Sequence, residues 1–596
     1  MVPTSENEVV CVTGNIPQLG NWNPENVVSL QKHNVIEICY SDLWWIILDV
    51  PANTEVQYRF CVTAPLETAD GEKKYLIKHW ETNLNPRLAH VKENKDVQVM
   101  GTAMFGEYDG YNYGTQGWLS DQTAIQLRLE NNPINMYKPR HRTQTYSIKL
   151  YNILLILQTE SNTSGFSNYC DFGEEDSNEG PLTCQLSEVL ISVLRDDMCV
   201  PCKQNQFGEI YKQNDYMIFK SETLFPESLG FQLEFYVHDN CDGKNVPRYI
   251  GYSHLLPNNC NHTLGNKRLP IMSLKHKPIG EITVNFMIAK PLEGVEFDME
   301  HCFQSHWKHT ESLDVGHRGM GSSYKKLALV RENTVASLCA AAQNGADLVE
   351  FDIMLTKDLF PVIYHDFAVQ VIRPSDGQTS SHELLPIPVK DLTLRQLQSM
   401  KVLIFHFKYI SFNINGDVDP DNLQPFPTLQ QCFKGVDESL GFNIEIKYPL
   451  QDVEGVWEMT GFMDHNTYID ILLKDVFKGA GSRRIIFSSF DPDSCILLQR
   501  KQNKYPVLFL SNGPTQRYKP YMDIRAQGYD NAMYFALSEG FLGVDLQSEG
   551  LLQDLSIIKR VKDSGLILFV WGEDNNDKET IGLLKRHGVQ GIIYDR

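Results

Sequence analysis

The chain lacks any run of about eighteen apolar residues, the length that a membrane-crossing helix needs, so no transmembrane helix is expected. Its opening residues, MVPTSENEVV, show neither a charged n-region nor an apolar h-region, and no secretory signal is expected. Cations are in deficit: 54 Lys and Arg stand against 75 Asp and Glu, a formal net charge of −21. That balance argues against broad nucleic-acid binding and against adhesion to anionic membrane. An ordered cysteine framework is also missing. The 13 cysteines are odd in number and scattered, as fits reduced thiols in the cytosol. In that compartment the sequons at Asn162 and Asn261 would meet no glycosylation machinery. No internal repeat of 20–50 residues is visible.

What is present divides into three stretches, and 596 residues leave room for two to four domains. Residues 1–95 read as a small β domain. WWIILDVP (44–51) and VQYRFCV (56–62) have strand character, and Gly14-Asn15, Gly20-Asn21 and Asn23-Pro24 mark turns. Residues 101–300 form a β-rich middle region, for which a β-sandwich is the expectation. SIKLYNILLIL (147–157), FQLEFYVHD (231–239) and EITVNFMIAKPL (281–292) read as strands, and the acidic GEEDSNEG (173–180) as a solvated loop. From 312 to 596 short apolar runs alternate with amphipathic segments such as TVASLCAAAQNGA (334–346) and TYIDILLKDVFKGA (467–480). Alternating β and α units predict a parallel sheet, and the length suits a (β/α)8 barrel. Nine apolar runs compete for eight places. Only TKDLF separates the second from the third, too short for a parallel crossover, so that pair is expected to be a hairpin.

Polar residues gather at the ends of these runs, where a barrel places its active site. Glu350 and Asp352 are two apart and share one face of a strand, and Glu445 and Lys447 repeat the spacing. Each carboxylate alone would pass as a solvated strand end. Together they form a hard-oxygen set suited to Mg2+, with Ca2+ as the alternative. His317 and His365 each close an apolar run beside a charged neighbour, Arg318 and Asp366. They can serve as base and acid, while Arg318 and Lys447 neutralise charge developing on a phosphate. This inventory suits metal-assisted cleavage of a phosphate diester, captured locally despite the overall negative charge. Trp571 ends the run LILFVWG and either packs in the barrel or offers its face to a cationic choline group.

The series HRG, ENT, EFD, HD, EIK and W, in this order and spacing, resembles the glycerophosphodiester phosphodiesterase family over about 280 residues. The resemblance implies a TIM-like barrel with a small insertion after HD, here within 367–430. It implies that His317 and His365 are the general base and acid, and that Glu350, Asp352 and Glu445 hold the metal. It further implies that Arg318 and Lys447 bind phosphate and that Glu332 and Asn333 lie near the glycerol. Two departures fall on the substrate rim: Arg331 stands where a proline is common, and the stretch 319–330 is longer than usual. The route is left open between attack by a free glycerol hydroxyl, through a cyclic phosphate, and direct attack by water.

LGNWNP, DLWWIILDVP, VQYRF and HWETNLNPR resemble a starch-binding module of family 20. That likeness implies a glucan platform of Trp22 and Trp80 with Arg59 beside it, core packing being the alternative, and glycogen or a starch-like glucan as partner. Trp44 and Trp45 read as core. The whole is then a multidomain chain: an N-terminal β-sandwich starch-binding-like module, a β-rich middle and a C-terminal TIM-like barrel. The combination resembles the branch of the family that acts on glycerophosphocholine, which implies release of choline and glycerol 3-phosphate. Glycerophosphoinositol and lysophospholipid are the alternative substrates, to be decided by Trp571 and the 402–424 region. A different class, a glucan-bound scaffold without turnover, predicts loss of a histidine or metal carboxylate, and none is lost. Cys199 and Cys202, with Cys260 and His262 downstream, have poor second-pair spacing for zinc. Ser488-Ser489-Phe490 lacks the glycines of a nucleophile elbow and reads as substrate rim or packing. KRVKDSG (559–565) reads as an outer barrel helix.

Overall fold

A computed structural model of the chain describes residues 2, 4, 7–33, 42–67, 73–93, 97–108, 110–155, 188–238, 246–260, 262–302, 311–321, 330–372, 384–400 and 424–595. The acidic stretch 173–180 lies outside them, as does 402–424 apart from Gln424 and most of the long 319–330 stretch. Among the described residues no helix is long and apolar enough to cross a membrane.

The N-terminal sheet is antiparallel. Gly114–Gln116, Lys73–Glu81, Glu55–Glu67, Val9–Gly14 and Val28–Ser29 lie in that order, with Arg87–His90 also paired to Glu55–Glu67. Of WWIILDVP only Trp44–Trp45 forms a strand, against Gln31–Lys32. Beyond it the alternation buries one side without a ladder: Ile46, Leu48 and Val50 rest on Val10, Val12, Ile16 and Leu30, while Ile47 is exposed. Trp44 packs on the same core, but Trp45 is 43% exposed, which corrects its reading as core. Residues 101–118, expected in the middle region, contribute the Gly114–Gln116 edge strand to this first sheet.

The glucan platform is also corrected. Trp22 and Trp80 are 6% and 1% exposed and share a core with Cys11, Cys61, Ile77, Trp118, Met299 and Cys302. Trp118 meets Trp80 edge-on at 5.8 Å, Phe297 meets Trp118 at 5.8 Å, and the Met299 N–H donates to the Trp22 carbonyl at 2.9 Å. Arg59 is fully buried. Its guanidinium donates to the carbonyls of Asn83, Leu84 and Glu300, the last at 2.9 Å. The chain's own segments around 118 and 297–302 cover the faces a sugar would need. The same segment reaches the barrel: Phe297 packs edge-on against Phe477 at 5.9 Å, and the Asp298 carbonyl accepts from Asn503 Nδ2 at 2.9 Å. The Leu119 N–H donates to the Arg500 carbonyl at 2.8 Å.

A second compact unit comprises Asp121–Leu194 and Val200–Lys290. Among the described residues its eleven strands form one set of antiparallel pairs, dominated by Thr145–Leu154 with Leu229–His238 and by Leu264–Ser273 with Pro278–Ala289. Along Leu229–His238 the period of two is plain, with Phe231, Leu233, Phe235 and Val237 buried.

The C-terminal stretch closes into eight parallel strands: β1 (Leu313–Gly316), β2 (Leu348–Leu355), β3 (Gly441–Ile446), β4 (Ile485–Ser489), β5 (Val507–Ser511), β6 (Gly543–Gln547), β7 (Ile567–Trp571) and β8 (Gly591–Tyr594). Each pairs with the next, and β8 pairs back to β1. The surplus ninth run, Pro361–Ile363, folds antiparallel onto β2, as the short TKDLF gap predicts. Leu313, Val315, Leu348, Ile486, Leu508, Ile567, Phe569 and Ile593 pack together as the apolar core. Outside, the helix His465–Gly479 turns Tyr468, Ile469, Leu472, Leu473 and Val476 inward, and Asp464 caps its first turn. KRVKDSG falls at the end of the helix Ser556–Asp563, which buries Ile558 and Val561. The insertion after His365-Asp366 holds a hairpin, Ala368–Ile372 with Leu384–Pro388, and a short helix, Leu394–Ser399.

Replacing Trp80 by alanine would empty the centre of the first core. Unfolding stability is expected to fall by about 3–5 kcal/mol, read as a lower denaturant midpoint. No change in retention on immobilised amylose is expected, since the indole already faces inward.

Candidate active site

The site starts from a constrained turn. After β1 the chain places Arg318 at φ 48° and Asn333 at φ 55°, left-handed conformations that cost a non-glycine residue energy and collect at functional sites. Gly319 follows at φ 88°, where a Cβ would lie 2.4 Å from Ser337 Oγ. Hydrogen bonds hold the turn. The Arg318 N–H donates to Glu350 Oε2 at 3.0 Å, and the Arg318 carbonyl accepts from the Asn333 N–H at 3.1 Å and from Ser337 Oγ at 3.0 Å.

Glu350 and Asp352 on β2 and Glu445 on β3 are all buried, and one carboxylate oxygen of each lies within 4.8 Å of the others. The strand register sets Asp352 directly beside Glu445. Two cations flank the group. Lys447 Nζ is 3.0 Å from Glu445 Oε1 and 3.8 Å from Asp352 Oδ1. Arg318 Nε is 3.7 Å from Asp352 Oδ2, and its Nη1 donates to Glu332 Oε1 at 2.7 Å. Asn333 Nδ2 donates to Asp352 Oδ2 at 3.1 Å, while Asp352 Oδ1 accepts no hydrogen bond among the described residues.

These groups pull one another apart electrostatically. Burial, then the charges of Asp352 and Glu445, push the Glu350 carboxyl well above the usual range. Burial also raises Glu445, against the pull of Lys447. For Asp352 burial acts in the same direction but is outweighed by His365, Arg318 and Lys447, which hold it low. Burial would discharge Lys447 and Arg318, yet the surrounding carboxylates win and raise both. Three hard oxygen ligands converging on one point, with one oxygen still lacking a donor, fit a divalent cation.

Each histidine is held through one nitrogen. His317 Nδ1 lies 2.8 Å from Asp595 Oδ1, leaving Nε2 4.0 Å from Glu350 Oε2. His365 Nδ1 lies 2.6 Å from Asp366 Oδ1, and that hydrogen bond holds the Asp366 carboxyl below its usual value. A carboxylate on Nδ1 sets the tautomer and leaves Nε2 for proton transfer. Both histidines border a cavity of about 830 Å³, together with Arg318, Glu332, Asn333, Glu350, Glu445, Lys447 and Trp571. Asp352 is not on its lining. Glu332 and Asn333 are engaged with Arg318 and Asp352, so they brace these groups as well as facing the cavity.

Residues 317–596 match the glycerophosphoryl diester phosphodiesterase family, 119–293 a GDE1-like C2 domain and 1–100 a starch binding domain. The glycerophosphocholine phosphodiesterase GPCPD1 of Rattus norvegicus is 35% identical over 613 residues, 99% of this chain and 88% of the relative. The Homo sapiens protein of that name has the same identity and coverage. The chain belongs to the glycerophosphodiester phosphodiesterase family. A solved Oleispira antarctica phosphodiesterase in complex with sn-glycerol-3-phosphate is 17% identical, with a TM-score of 0.33, over 48% of this chain and 93% of that one.

The chain is thus a hydrolase of the glycerophosphodiester class, and several parts of the candidate site were not read from the sequence. Asp595, in the closing GIIYDR run, was one more acid at a strand end until the barrel closed and set it against His317, 278 residues away. Trp571 packs against the barrel's apolar core and also lines the cavity, where it meets Phe490 edge-on at 5.5 Å and Tyr518 at 5.5 Å. Phe490 is therefore a wall residue, and Ser488 beside it borders the cavity while donating to Asn443 Oδ1 at 3.0 Å. Glu458 and Glu573 add negative charge to the same lining, while Asp452 there faces Lys519 Nζ at 3.5 Å. Cys199 and Cys202 join no metal-competent cluster among the described residues.

Asp595→Asn would keep the shape but lose the charge that orients His317. We expect kcat to fall by about 10³–10⁴ with KM little changed, measured by steady-state kinetics on a glycerophosphodiester.

Proposed function

We propose that the chain hydrolyses glycerophosphocholine to choline and glycerol 3-phosphate, with Mg2+ held by Glu350, Asp352 and Glu445. The observation that carries this reading is the pairing of two carboxylate-oriented histidines with an aromatic, acid-rimmed wall in one cavity. Arg318 and Lys447 neutralise the phosphate oxygens, and Glu332 and Asn333 sit by the glycerol. His317 and His365 divide the proton work: one takes a proton from the attacking oxygen, the other gives one to the choline oxygen as the phosphorus–oxygen bond breaks. The cation, when bound, supplies Lewis-acid stabilisation of the phosphate. Trp571, Phe490 and Tyr518 offer ring faces to a quaternary ammonium, and Glu458 and Glu573 favour its positive charge.

The similarity to the rat and human glycerophosphocholine phosphodiesterases over 99% of the chain supports the choice of head group. Cytosolic residence is supported by the odd number and scattered placing of the 13 cysteines.

The test is choline release by purified protein, with Mg2+ and with chelator. Release that needs the metal and falls by about 10²–10⁴ in His317→Ala is expected. Trp571→Ala should raise KM for glycerophosphocholine more than for glycerophosphoinositol. Equal turnover of both substrates by the native protein would overturn the head-group assignment. No turnover of either would overturn the enzyme reading.

A further inference from the structure

The lining of the cavity holds an acid that the scheme above does not use. Asp545, on β6, is 0% exposed, and neither of its carboxylate oxygens has a hydrogen-bond partner among the described residues. It nonetheless borders the cavity that Glu350 and Glu445 line. Its strand neighbours in register are Leu510 on β5 and Phe569 on β7, both apolar and buried. Two further buried groups at this level of the barrel are also unsatisfied: Asn443 Nδ2 on β3 and Gln547 Nε2, two residues beyond Asp545.

A carboxyl in such a place is unfavourable by itself. It has lost water, found no donor, and the charge it senses is that of Glu445, of its own sign. Fold stability does not favour an ionised acid there, because an asparagine would bring no charge and a leucine no unmet polar atom. A hydrated cation at the neighbouring triad would change the balance, since it brings both opposite charge and O–H donors. Asp545 is not among the carboxylates whose oxygens converge within 4.8 Å, so it is not a direct ligand. Hard divalent cations bound by few carboxylates keep several waters, and those waters need acceptors.

We propose that Asp545 is the outer carboxylate of the metal centre, accepting a hydrogen bond from a water carried by the cation that Glu350, Asp352 and Glu445 hold. This rests on the reading of those three residues as the metal site. Asp545 is a positioning residue: it tightens the cation's hold and fixes one of its waters at the cavity lining, without touching the phosphate.

Metal binding tests it directly on the full chain. Mn2+ is titrated into metal-stripped native protein, Asp545→Asn and Asp352→Asn, and free Mn2+ is read by electron paramagnetic resonance. Melting temperature is followed in parallel in chelator. Outer partners of metal ligands are worth about 10–100-fold in affinity, so Asp545→Asn should weaken binding by that factor. Its metal-free melting temperature should be equal to or above the native one, because an unpaired acid has been removed. Equal Mn2+ affinity in the native protein and Asp545→Asn would overturn the proposal while leaving the triad standing. A lower metal-free melting temperature in Asp545→Asn would make Asp545 a structural residue and overturn it too. If native protein and Asp352→Asn bind Mn2+ equally, the triad reading itself fails, and this proposal with it.

Discussion

Three carboxylates brought within 4.8 Å of one another in a buried place repel, and much of the barrel's upper half is arranged around that repulsion. Arg318 and Lys447 are drawn in as partial compensation, at 3.7 and 3.0 Å from the nearest acid of the group. Holding Arg318 there requires a left-handed backbone, a glycine behind it and three hydrogen bonds to its peptide groups. Asn333 serves the same cluster from an equally unusual backbone angle. The compensation is incomplete, since Glu350 and Glu445 remain pushed upward. A site left short of positive charge is one prepared for a cation, and next for an anionic phosphate beside it.

The N-terminal module shows a different use of a familiar surface. The residues that would form a sugar platform are present, and the family model for a starch binding domain covers them. Here their faces are occupied by Trp118, Phe297 and Met299 from the same chain. Aromatic faces that grip a sugar in water also make strong packing surfaces, because both contacts bury the same apolar area. Arg59 has followed the tryptophans inward, its guanidinium tied to backbone carbonyls including that of Glu300. The module is thereby fastened to the segment that leads into the barrel.

The outline of the fold was legible because it rests on local pattern. Short apolar runs alternating with amphipathic segments marked the barrel strands, and the five-residue TKDLF gap was short enough to force the Pro361–Ile363 hairpin by chain geometry alone. The same logic failed for WWIILDVP, where the alternation is real but most of the ladder is absent. It failed again at 101–118, where no periodic pattern announces that Gly114–Gln116 will add an edge to a strand more than thirty residues earlier. Pairing partners are a tertiary matter, and a two- or three-residue strand carries too few side chains to declare them.

The sequence by itself determined the chemical inventory: two histidines, three spaced carboxylates and two cations, each next to an apolar run, because residue type and i, i+2 spacing on a strand settle which groups share a face. Tertiary structure decided which groups serve one another. The partner of His317 comes from the far end of the barrel, Trp571 becomes wall because Phe490 and Tyr518 converge on it, and Trp22 and Trp80 become core because residues near 118 and 300 return to cover them. Burial, and the loss of water that gives charges and aromatic faces their roles, depends on contacts between distant parts of the chain, and no local pattern records it.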